Sequence, residues 1–356
     1  MSGRGGIETR VENYIVRAAV GGPRAERDAL ARALYAWQRL HNPAYAAMVG
    51  GSGGGEALDI EAIPAVPVAL FKELDLCSFP VEAARVVFRT SGTTGQRRGV
   101  VSMPDTRLYD LASRLWFRRC VPDVPTTVVS LCPPGPGADP TSDSSLGHMV
   151  DSFSTSIDHF FRDGTLDADA AWGTLRAATG PVFLATTAFA LDALLSVPGH
   201  AALDAASLVM VTGGFKGRRV RLDATELYRA VPGRLGTPRV VGEYGMSELS
   251  SQLWTDPVAA GEVPGAFRAP PWLYVYAVDP VSGDTVPGEG LLRFVDLANV
   301  HTVLAIETLD LGVVARGDDG DRVTLRGRLE GAEARGCSMR AEALLEWGRA
   351  ERPPTP

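Results

Sequence analysis

Thr90-Ser91-Gly92-Thr93-Thr94-Gly95 follows directly on residues 85–89, a β-branched run that predicts a buried strand. Hydroxyl-bearing residues among glycines let backbone N–H groups and side-chain hydroxyls converge on phosphate oxygens. The stretch has neither the Gly-Lys-Ser/Thr of a Walker A loop nor the spacing of a dinucleotide-binding turn. It therefore predicts a phosphate-binding loop of another kind, with a Ser/Thr/Gly surface turn as the alternative.

Along the rest of the first 270 residues, β-branched runs alternate with stretches of helical composition, which is the pattern of an α/β fold. Strands are expected at residues 85–89, 126–131, 182–184, 208–211 and 239–241, and helices at 166–178 and 188–195. Near the N-terminus Leu30, Leu34, Trp37 and Leu40 predict one apolar helix face. The glycines of residues 50–55 then predict a surface loop.

After Pro271 the pattern changes to closely spaced strands joined by turn residues. Strands are expected at residues 272–278, 290–295, 302–306, 312–315 and 322–325, and a short helix at 340–349. We therefore predict an α/β core over residues 1–270, an antiparallel β subdomain with a C-terminal helix over 271–349, and a disordered tail over 350–356.

The composition excludes several classes of protein. Hydrophobic residues make up 45% and charged residues 22% of the 356, as in ordinary globular proteins, and a formal charge of −7 argues against a nucleic-acid partner. Neither a bilayer-spanning run nor a signal peptide is evident, so a cytoplasmic protein with no membrane partner is expected. The four cysteines form no C-x-x-C pair, which argues against zinc and disulfides.

Further motifs follow the glycine-rich loop in order. They are Gly242-Glu243-Tyr244-Gly245-Met246-Ser247-Glu248, Gly288-Glu289-Gly290-Leu291-Leu292, Thr308-Leu309-Asp310-Leu311-Gly312 and Gly327-Arg328. With the loop, they resemble the adenylate-forming superfamily of acyl-CoA synthetases, luciferases and adenylation domains, which activate carboxylic acids as acyl-AMP. The resemblance implies the large domain of that superfamily, with parallel-type sheets flanked by helices, and ATP and Mg²⁺ as cofactors.

Adenylation needs a cradle for the leaving phosphates, a divalent cation and positive charge near the attacking oxygens. By resemblance, residues 90–95 would hold the phosphates, Glu248 would anchor magnesium and Asp310 would accept hydrogen bonds from the ribose diol. Arg328 matches the arginine just before the superfamily's interdomain hinge.

The same resemblance assigns the base-binding residues. Tyr244 would stack beside adenine, Gly245 and Ser247 belong to its motif, and Gly213-Gly214 would pass under the base.

The acyl pocket is less constrained by the sequence. Gly242, Phe215 and His148 are its candidates. For His148 a structural histidine is the alternative, and aromatic residues at such spacing also form cores.

Four segments are similar to the LuxE-type acyl-protein synthetases, relatives of phenylacetate-CoA ligase. They are residues 67–72, 143–149, 211–218 and 335–338. In that family a fatty acid is adenylated and then transferred to a cysteine near the C-terminus, which here matches Cys337. Arg335 and Arg340 would lower the pKa of its thiol, although packing at a subdomain edge is the alternative role.

Ordinary acyl-CoA synthetases carry a C-terminal domain whose lysine contacts the reacting carboxylate. No lysine follows Lys216 and few residues follow Arg328, so that domain is expected to be reduced or absent. Lys216 is the hypothesised replacement, with a surface lysine beside Arg218 and Arg219 as the alternative.

The sequence thus predicts an ATP- and magnesium-dependent ligase that forms an acyl-adenylate and passes the acyl group to a thiol, its own Cys337 or a partner's. Transfer to a carrier protein, CoA or an amine is the first alternative, and a non-catalytic nucleotide-binding protein is the second. The expected partners are a carboxylic acid substrate and a carrier protein, reductase or acyltransferase.

Overall fold

The chain is described by a computed structural model. The described residues are 4–21, 24–50, 58–90, 97–213, 224–317 and 320–329. Several predicted features lie outside them, namely residues 91–95, Gly214, Phe215, Lys216, Cys337, most of the 50–55 loop, the helix at 340–349 and the tail.

The described chain combines helices and strands throughout its length. The α-helices are α1 (Arg4–Ala18), α2 (Arg24–His41), α3 (Pro43–Val49), α4 (Arg107–Cys120), α5 (Ser145–Asp151), α6 (Ala168–Ala177), α7 (Ala188–Ser196) and α8 (Ala224–Leu235). Short 3₁₀ turns lie at Ile60–Ala62, Val68–Lys72 and Val81–Ala83.

The strands follow the same order along the chain. They are β1 (Val66–Pro67), β2 (Val86–Arg89), β3 (Val100–Met103), β4 (Thr127–Ser130), β5 (Ile157–His159), β6 (Phe161–Arg162), β7 (Thr165–Leu166), β8 (Val182–Thr187), β9 (Leu208–Thr212), β10 (Arg239–Tyr244), β11 (Leu253–Trp254), β12 (Val258–Ala259), β13 (Phe267–Arg268), β14 (Leu273–Val278), β15 (Glu289–Asp296), β16 (Ala305–Ala315) and β17 (Arg322–Arg328).

Side-chain caps fix where four helices begin. Asn42, Ser144, Asp167 and Thr187 each accept a hydrogen bond from the backbone N–H three residues further on, at 3.0 to 3.1 Å. Such caps satisfy N–H groups that have no partner inside the helix. The predicted helix starts near residues 166 and 188 are thereby confirmed to within two residues.

The chain forms two compact units that interleave along the sequence. The first unit takes residues up to Ala112, Ser247–Ser251 and the residues from Ala269 onward, and the second takes Ser113–Met246 and Gln252–Arg268. The predicted division between residues 270 and 271 stays a prediction.

The first unit contains the antiparallel sheet that the sequence predicts after Pro271. Strands β14, β15, β16 and β17 lie side by side and antiparallel, and the short β1 pairs in parallel with β16 at Ile306 and Glu307. Strands β2 and β3 form a separate hairpin in the same unit.

One strand prediction in this sheet is wrong. The two strands expected at 302–306 and 312–315 are a single strand, β16, which runs through the polar residues between them. Those residues have partners in the sheet, because Glu307 accepts a hydrogen bond from Arg293 at 2.6 Å and the Thr308 hydroxyl donates to the Leu292 carbonyl at 2.8 Å. A strand can therefore run through polar residues whose side chains are hydrogen-bonded, even where the sequence pattern predicts that it ends.

The second unit is built on a parallel sheet. Its strands lie in the order β10-β9-β8-β4-β5, all parallel, with β11 and β12 pairing antiparallel to β10. Strand β9 is buried at every position, as expected for a parallel strand covered on both faces. The predicted α/β class is confirmed.

Two clusters of side chains cover the faces of this sheet. Helices α6, α7 and α8 contribute Trp172, Leu191 and Leu227 to an apolar cluster with alternate residues of the strands. A second cluster stacks Phe117, Phe153, Phe183 and Trp254. These four aromatic residues therefore pack against one another in the core of the unit.

The apolar face of α2 differs from prediction at one position. Leu30, Leu34 and Trp37 are buried, whereas Leu40 is 82% exposed. At about 100° per residue, position 40 lies roughly 80° away from position 30 around the helix, which carries Leu40 off the packed face.

No helix in the described part of the chain is long and apolar enough to cross a membrane.

The packing around Trp172 predicts a strict requirement for glycine at position 199. A Cβ there would lie 2.4 Å from atoms of the Trp172 ring. We expect Gly199→Ala to lower the free energy of unfolding by about 1–3 kcal/mol, measured by urea denaturation, because the ring has to move. Gly180→Ala is the matched control, since a Cβ there meets nothing within 4 Å. Equal midpoints for the two variants would contradict the prediction.

Candidate active site

The base of the glycine-rich loop is a closed hairpin end in the first unit. Thr90 and Gly99 pair through two hydrogen bonds, from the Thr90 N–H to the Gly99 carbonyl at 3.0 Å and from the Gly99 N–H to the Thr90 hydroxyl oxygen at 2.9 Å. Arg98 adds bonds to the carbonyls of Arg89 and Thr90. The Thr90 hydroxyl thus closes the loop and keeps its own proton for donation.

A β-bulge shapes the strand that carries Asp310. Against β15, residues 308–310 of β16 stand opposite the single residue Leu292. Against β17, Asp310 stands opposite Arg328 and the register shifts between Leu311 and Gly312. Gly327 has φ of +139°, a conformation that only glycine adopts readily. Bulges redirect side chains at functional sites, so the glycines of the motifs around Asp310 and Arg328 have a structural cause.

Glu248 lies on the short segment Ser247–Ser251, which belongs to the first unit. Its side chain is only 8% exposed. The amide of Asn299 donates to the Glu248 carbonyl at 2.9 Å and its oxygen accepts the Ser250 N–H at 2.8 Å. The backbone on either side of residue 249 is therefore fixed by one side chain.

A buried carboxylate holds the other end of this segment. Asp296 is fully buried, and its Oδ1 accepts hydrogen bonds from the Ser251 hydroxyl at 2.8 Å and the Ala298 N–H at 2.9 Å. Trp272 donates in turn to the Ser251 hydroxyl oxygen at 2.9 Å. Burial raises the pKa of Asp296 to about 6, although the hydrogen bonds it accepts oppose the shift.

The surroundings of Glu248 determine how a magnesium ion could be held there. Within the described residues no group of three or more His, Cys, Asp or Glu is placed to hold a metal. A cation at Glu248 would therefore depend on one carboxylate together with phosphate oxygens and water. That ligand set suits Mg²⁺, which keeps several waters and uses few protein ligands.

In the second unit, the order of the parallel strands marks a topological switch point. The chain leaves β4 towards its neighbour β5 on one side, and leaves β8 towards β9 on the other. Adjacent strands whose connections diverge form the switch point where open α/β sheets bind ligands. Gly213 and Tyr244 lie at this same sheet edge, directly after β9 and at the end of β10.

The glycines beside Tyr244 are explained by close packing. A Cβ on Gly245 would lie 2.5 Å from the Glu243 carboxylate, and one on Gly242 would lie 3.0 Å from a Thr255 methyl. Gly242, a predicted acyl-pocket residue, thus faces Thr255, and the Gly242 N–H donates to the Thr255 hydroxyl oxygen at 2.8 Å. Whether it also faces substrate stays a prediction.

Glu243 is a buried group to which the sequence motif assigns no role. It is 5% exposed, and the Thr212 hydroxyl donates to its carboxylate. Its position next to the Tyr-Gly motif was visible in the sequence, but its burial was not.

His148 lies in α5, near a second histidine that carries an acidic partner. His159 Nε2 is 3.3 Å from Asp151 Oδ1, while the other Asp151 oxygen accepts the Gly135 N–H at 2.9 Å. Gly147 packs against the loop after β4, where a Cβ would come within 2.2 Å of the Pro133 carbonyl oxygen. Asp151 carried no signal in the sequence, because its partner comes from the end of β5.

The described cysteines are poor nucleophiles. Cys77, Cys120 and Cys132 are all buried. Burial raises the pKa of the Cys77 and Cys132 thiols, and for Cys132 the carboxylates of Glu243 and Asp151 add to the shift.

The described α/β fold is similar to that of a solved acyl-CoA ligase. Two solved structures of 2-hydroxyisobutyryl-CoA ligase are similar to this chain. An open conformation in complex with 2-HIB-AMP and CoA has a TM-score of 0.64 at 14% identity, over 87% of this chain and 72% of that one. The thioesterification state has a TM-score of 0.65 at 14% identity, over 87% of this chain and 69% of that one.

Neither a protein-family model nor a curated protein matches the sequence. The narrower resemblance to LuxE-type acyl-protein synthetases stays a prediction.

Asp296 predicts a stability that depends on pH. Its folded pKa of about 6 lies above the usual value of about 3.9 for an unfolded aspartate, so the folded state binds more protons between these values. The free energy of unfolding therefore falls as the pH rises from about 4 to about 6, by at most roughly 3 kcal/mol. Asp296→Asn should remove that slope in urea titrations at successive pH values. Asp158→Asn, at an exposed position, should keep it, and a slope unchanged in both variants would refute the assignment.

Proposed function

We propose that the chain is an ATP- and magnesium-dependent ligase that activates a carboxylic acid as an acyl-adenylate and transfers the acyl group to a thiol. The observation that carries the proposal is the arrangement of the first unit. The hairpin base that presents residues 91–96, the bulged strand with Asp310 and the fixed segment with Glu248 all belong to that one compact unit. The fold it shares with an acyl-CoA ligase adds support.

The structure links these three parts through β16. Strand β1 pairs with β16 and leads straight into the 3₁₀ turn that contains Phe71. A Cβ on Gly99, at the hairpin base, would lie 3.3 Å from the Phe71 side chain. The loop that holds Glu248 through Asn299 leads directly into β16. Strand β16 carries Asp310 itself, and it is connected to the hairpin base through β1 and the 3₁₀ turn and to the Glu248 segment through the preceding loop.

The proposed roles follow from the chemistry of adenylation. Residues 90–95 bind the leaving phosphates, Glu248 anchors Mg²⁺ and Asp310 accepts the ribose hydroxyls. Magnesium supplies charge neutralisation for the departing pyrophosphate. Arg328, exposed and opposite Asp310, can place a positive charge at the same edge.

In the second unit, the proposed roles concern the base and the acyl group. Tyr244 stacks on adenine. Gly213, Gly245 and the residues that follow each of them lie close to the base. His148 lines the acyl pocket, which we place at the switch point between β4 and β8. Lys216 and Phe215 lie outside the described residues, so their proposed contacts with the carboxylate and the acyl group rest on the sequence.

The first test is magnesium-dependent ATP–pyrophosphate exchange against fatty, aromatic, amino and small hydroxy acids. We expect exchange with one class of acid, and a decrease of about a hundredfold or more in Glu248→Ala, because the cation loses its protein ligand. Glu262→Ala, at an exposed position, is the control and should exchange like wild type. Binding of ATP without exchange for any acid would overturn the proposal in favour of a non-catalytic nucleotide-binding protein.

We further propose that Cys337 is the acyl acceptor, because the described cysteines are buried and two of them have raised thiol pKa values. Cys337→Ala should keep ATP–pyrophosphate exchange and lose the covalent acyl-enzyme formed from radiolabelled acid. The matched variant Cys77→Ala should keep both. Persistent labelling of Cys337→Ala would identify another acceptor.

CoA is the second candidate acceptor, and one finding favours it. The two similar structures are of a ligase in complex with CoA. Acyl-CoA release by Cys337→Ala would decide for CoA as the acceptor.

A further inference from the structure

We propose that Asn299 is a positioning residue that fixes the backbone of Glu248 for metal binding, and that Gln38 of α2 holds Asn299 in place. This inference rests on the proposed function, in which Glu248 anchors Mg²⁺. It goes beyond it by naming the residues that set the geometry of that ligand.

The side chain of Asn299 uses both of its N–H donors and its carbonyl oxygen. It is 1% exposed, its amide nitrogen donates to the carbonyls of Glu248 and Val303 at 2.9 and 3.0 Å, and its oxygen accepts the Ser250 N–H at 2.8 Å. A carboxamide is the only neutral side chain that offers two donors and an acceptor in one plane. An apolar residue of the same size would leave three buried backbone groups without partners.

Gln38 does the same for the loop that carries Asn299. It is fully buried, its nitrogen donates to the carbonyls of Asn299 and Val300 at 2.7 and 3.2 Å, and its oxygen accepts the Leu304 N–H at 2.9 Å. The loop therefore cannot shift relative to α2 without breaking these bonds. The connection runs from α2 through the loop to the carbonyl of Glu248.

This geometry matters for a metal ligand more than for stability alone. Mg²⁺ demands near-ideal octahedral geometry, so a carboxylate that drifts with its backbone binds it poorly. Asn299 bonds to residues 248 and 250 and so brackets the backbone next to the ligand. Residues that orient a ligand from behind commonly contribute tenfold to a hundredfold in metal affinity.

The test is MgATP binding by calorimetry at increasing Mg²⁺ concentration. Asn299→Ala should raise the Mg²⁺ concentration for half-maximal MgATP binding by about tenfold to a hundredfold, and should change binding of metal-free ATP less than about twofold. Glu248→Gln should show the same defect. The double variant should be no worse than the worse single variant, because both act on one ligand.

Ser78→Ala is the matched control. Ser78 donates to the carbonyl of Thr302 in the same loop, at 3.1 Å. Its loss should lower stability while the Mg²⁺ dependence stays that of wild type. An equal shift in Ser78→Ala, a folded Asn299→Ala with wild-type Mg²⁺ dependence, or additive effects of Asn299 and Glu248 would each overturn the proposal.

Gln38→Ala is the second variant if Asn299→Ala does not fold, and it should shift the Mg²⁺ dependence in the same direction. A shift seen only in protein that has lost its cooperative unfolding would count against the proposal. Wild-type protein that binds MgATP as expected but exchanges no pyrophosphate would overturn the proposed ligase and leave the positioning role intact. Wild-type protein without MgATP binding would overturn both.

Discussion

A loop buried between two strands has to pair its backbone N–H and C=O groups without help from water, and residues 297–304 meet that constraint by recruiting side chains from distant parts of the chain. Gln38 supplies three of these hydrogen bonds. Asn42 and Ser78 donate to the carbonyl of Thr302, and the Ser78 N–H donates to the carbonyl of His301 at 2.9 Å. Because the same loop presents Asn299, its ordering also determines where the Ser247–Ser251 segment lies.

A second constraint acts on β16, which must stay in the sheet while it carries Asp310. The strand keeps antiparallel partners on both sides. Its extra residues lie between Glu307 and Leu311 against β15, and the register against β17 shifts after Leu311. Gly312 fits because a Cβ there would already be 3.0 Å from a neighbouring backbone oxygen and from Leu292. The geometry of the strand requires glycine at such sites. A motif that contains these glycines therefore indicates the backbone shape around the candidate carboxylate as well as the carboxylate itself.

The sequence predicted those features that depend on local pattern. Strands β8, β9 and β10 were predicted because buried parallel strands read as continuous apolar runs. Glu248 and Asp310 are predicted site residues because their motifs are contiguous. Asn299 was missed because its hydrogen-bond partners are distant in the sequence. Glu248 is 51 residues away and Gln38 is 261 residues away. An isolated polar residue carries no periodicity that would show such pairings.

Buried polar groups and buried apolar groups constrain a backbone in different ways. In the second unit the parallel sheet is packed by Val209, Leu184 and similar residues, which stabilise without demanding any one geometry. In the first unit, buried polar groups such as Asp296 surround the Ser247–Ser251 segment, although apolar residues of similar volume often give equal or greater stability. Hydrogen bonds are directional, and apolar contacts are not. We interpret the polar network as the means by which the chain holds one backbone geometry at Glu248. This network costs stability, and the cost can be measured through the ionisation of Asp296.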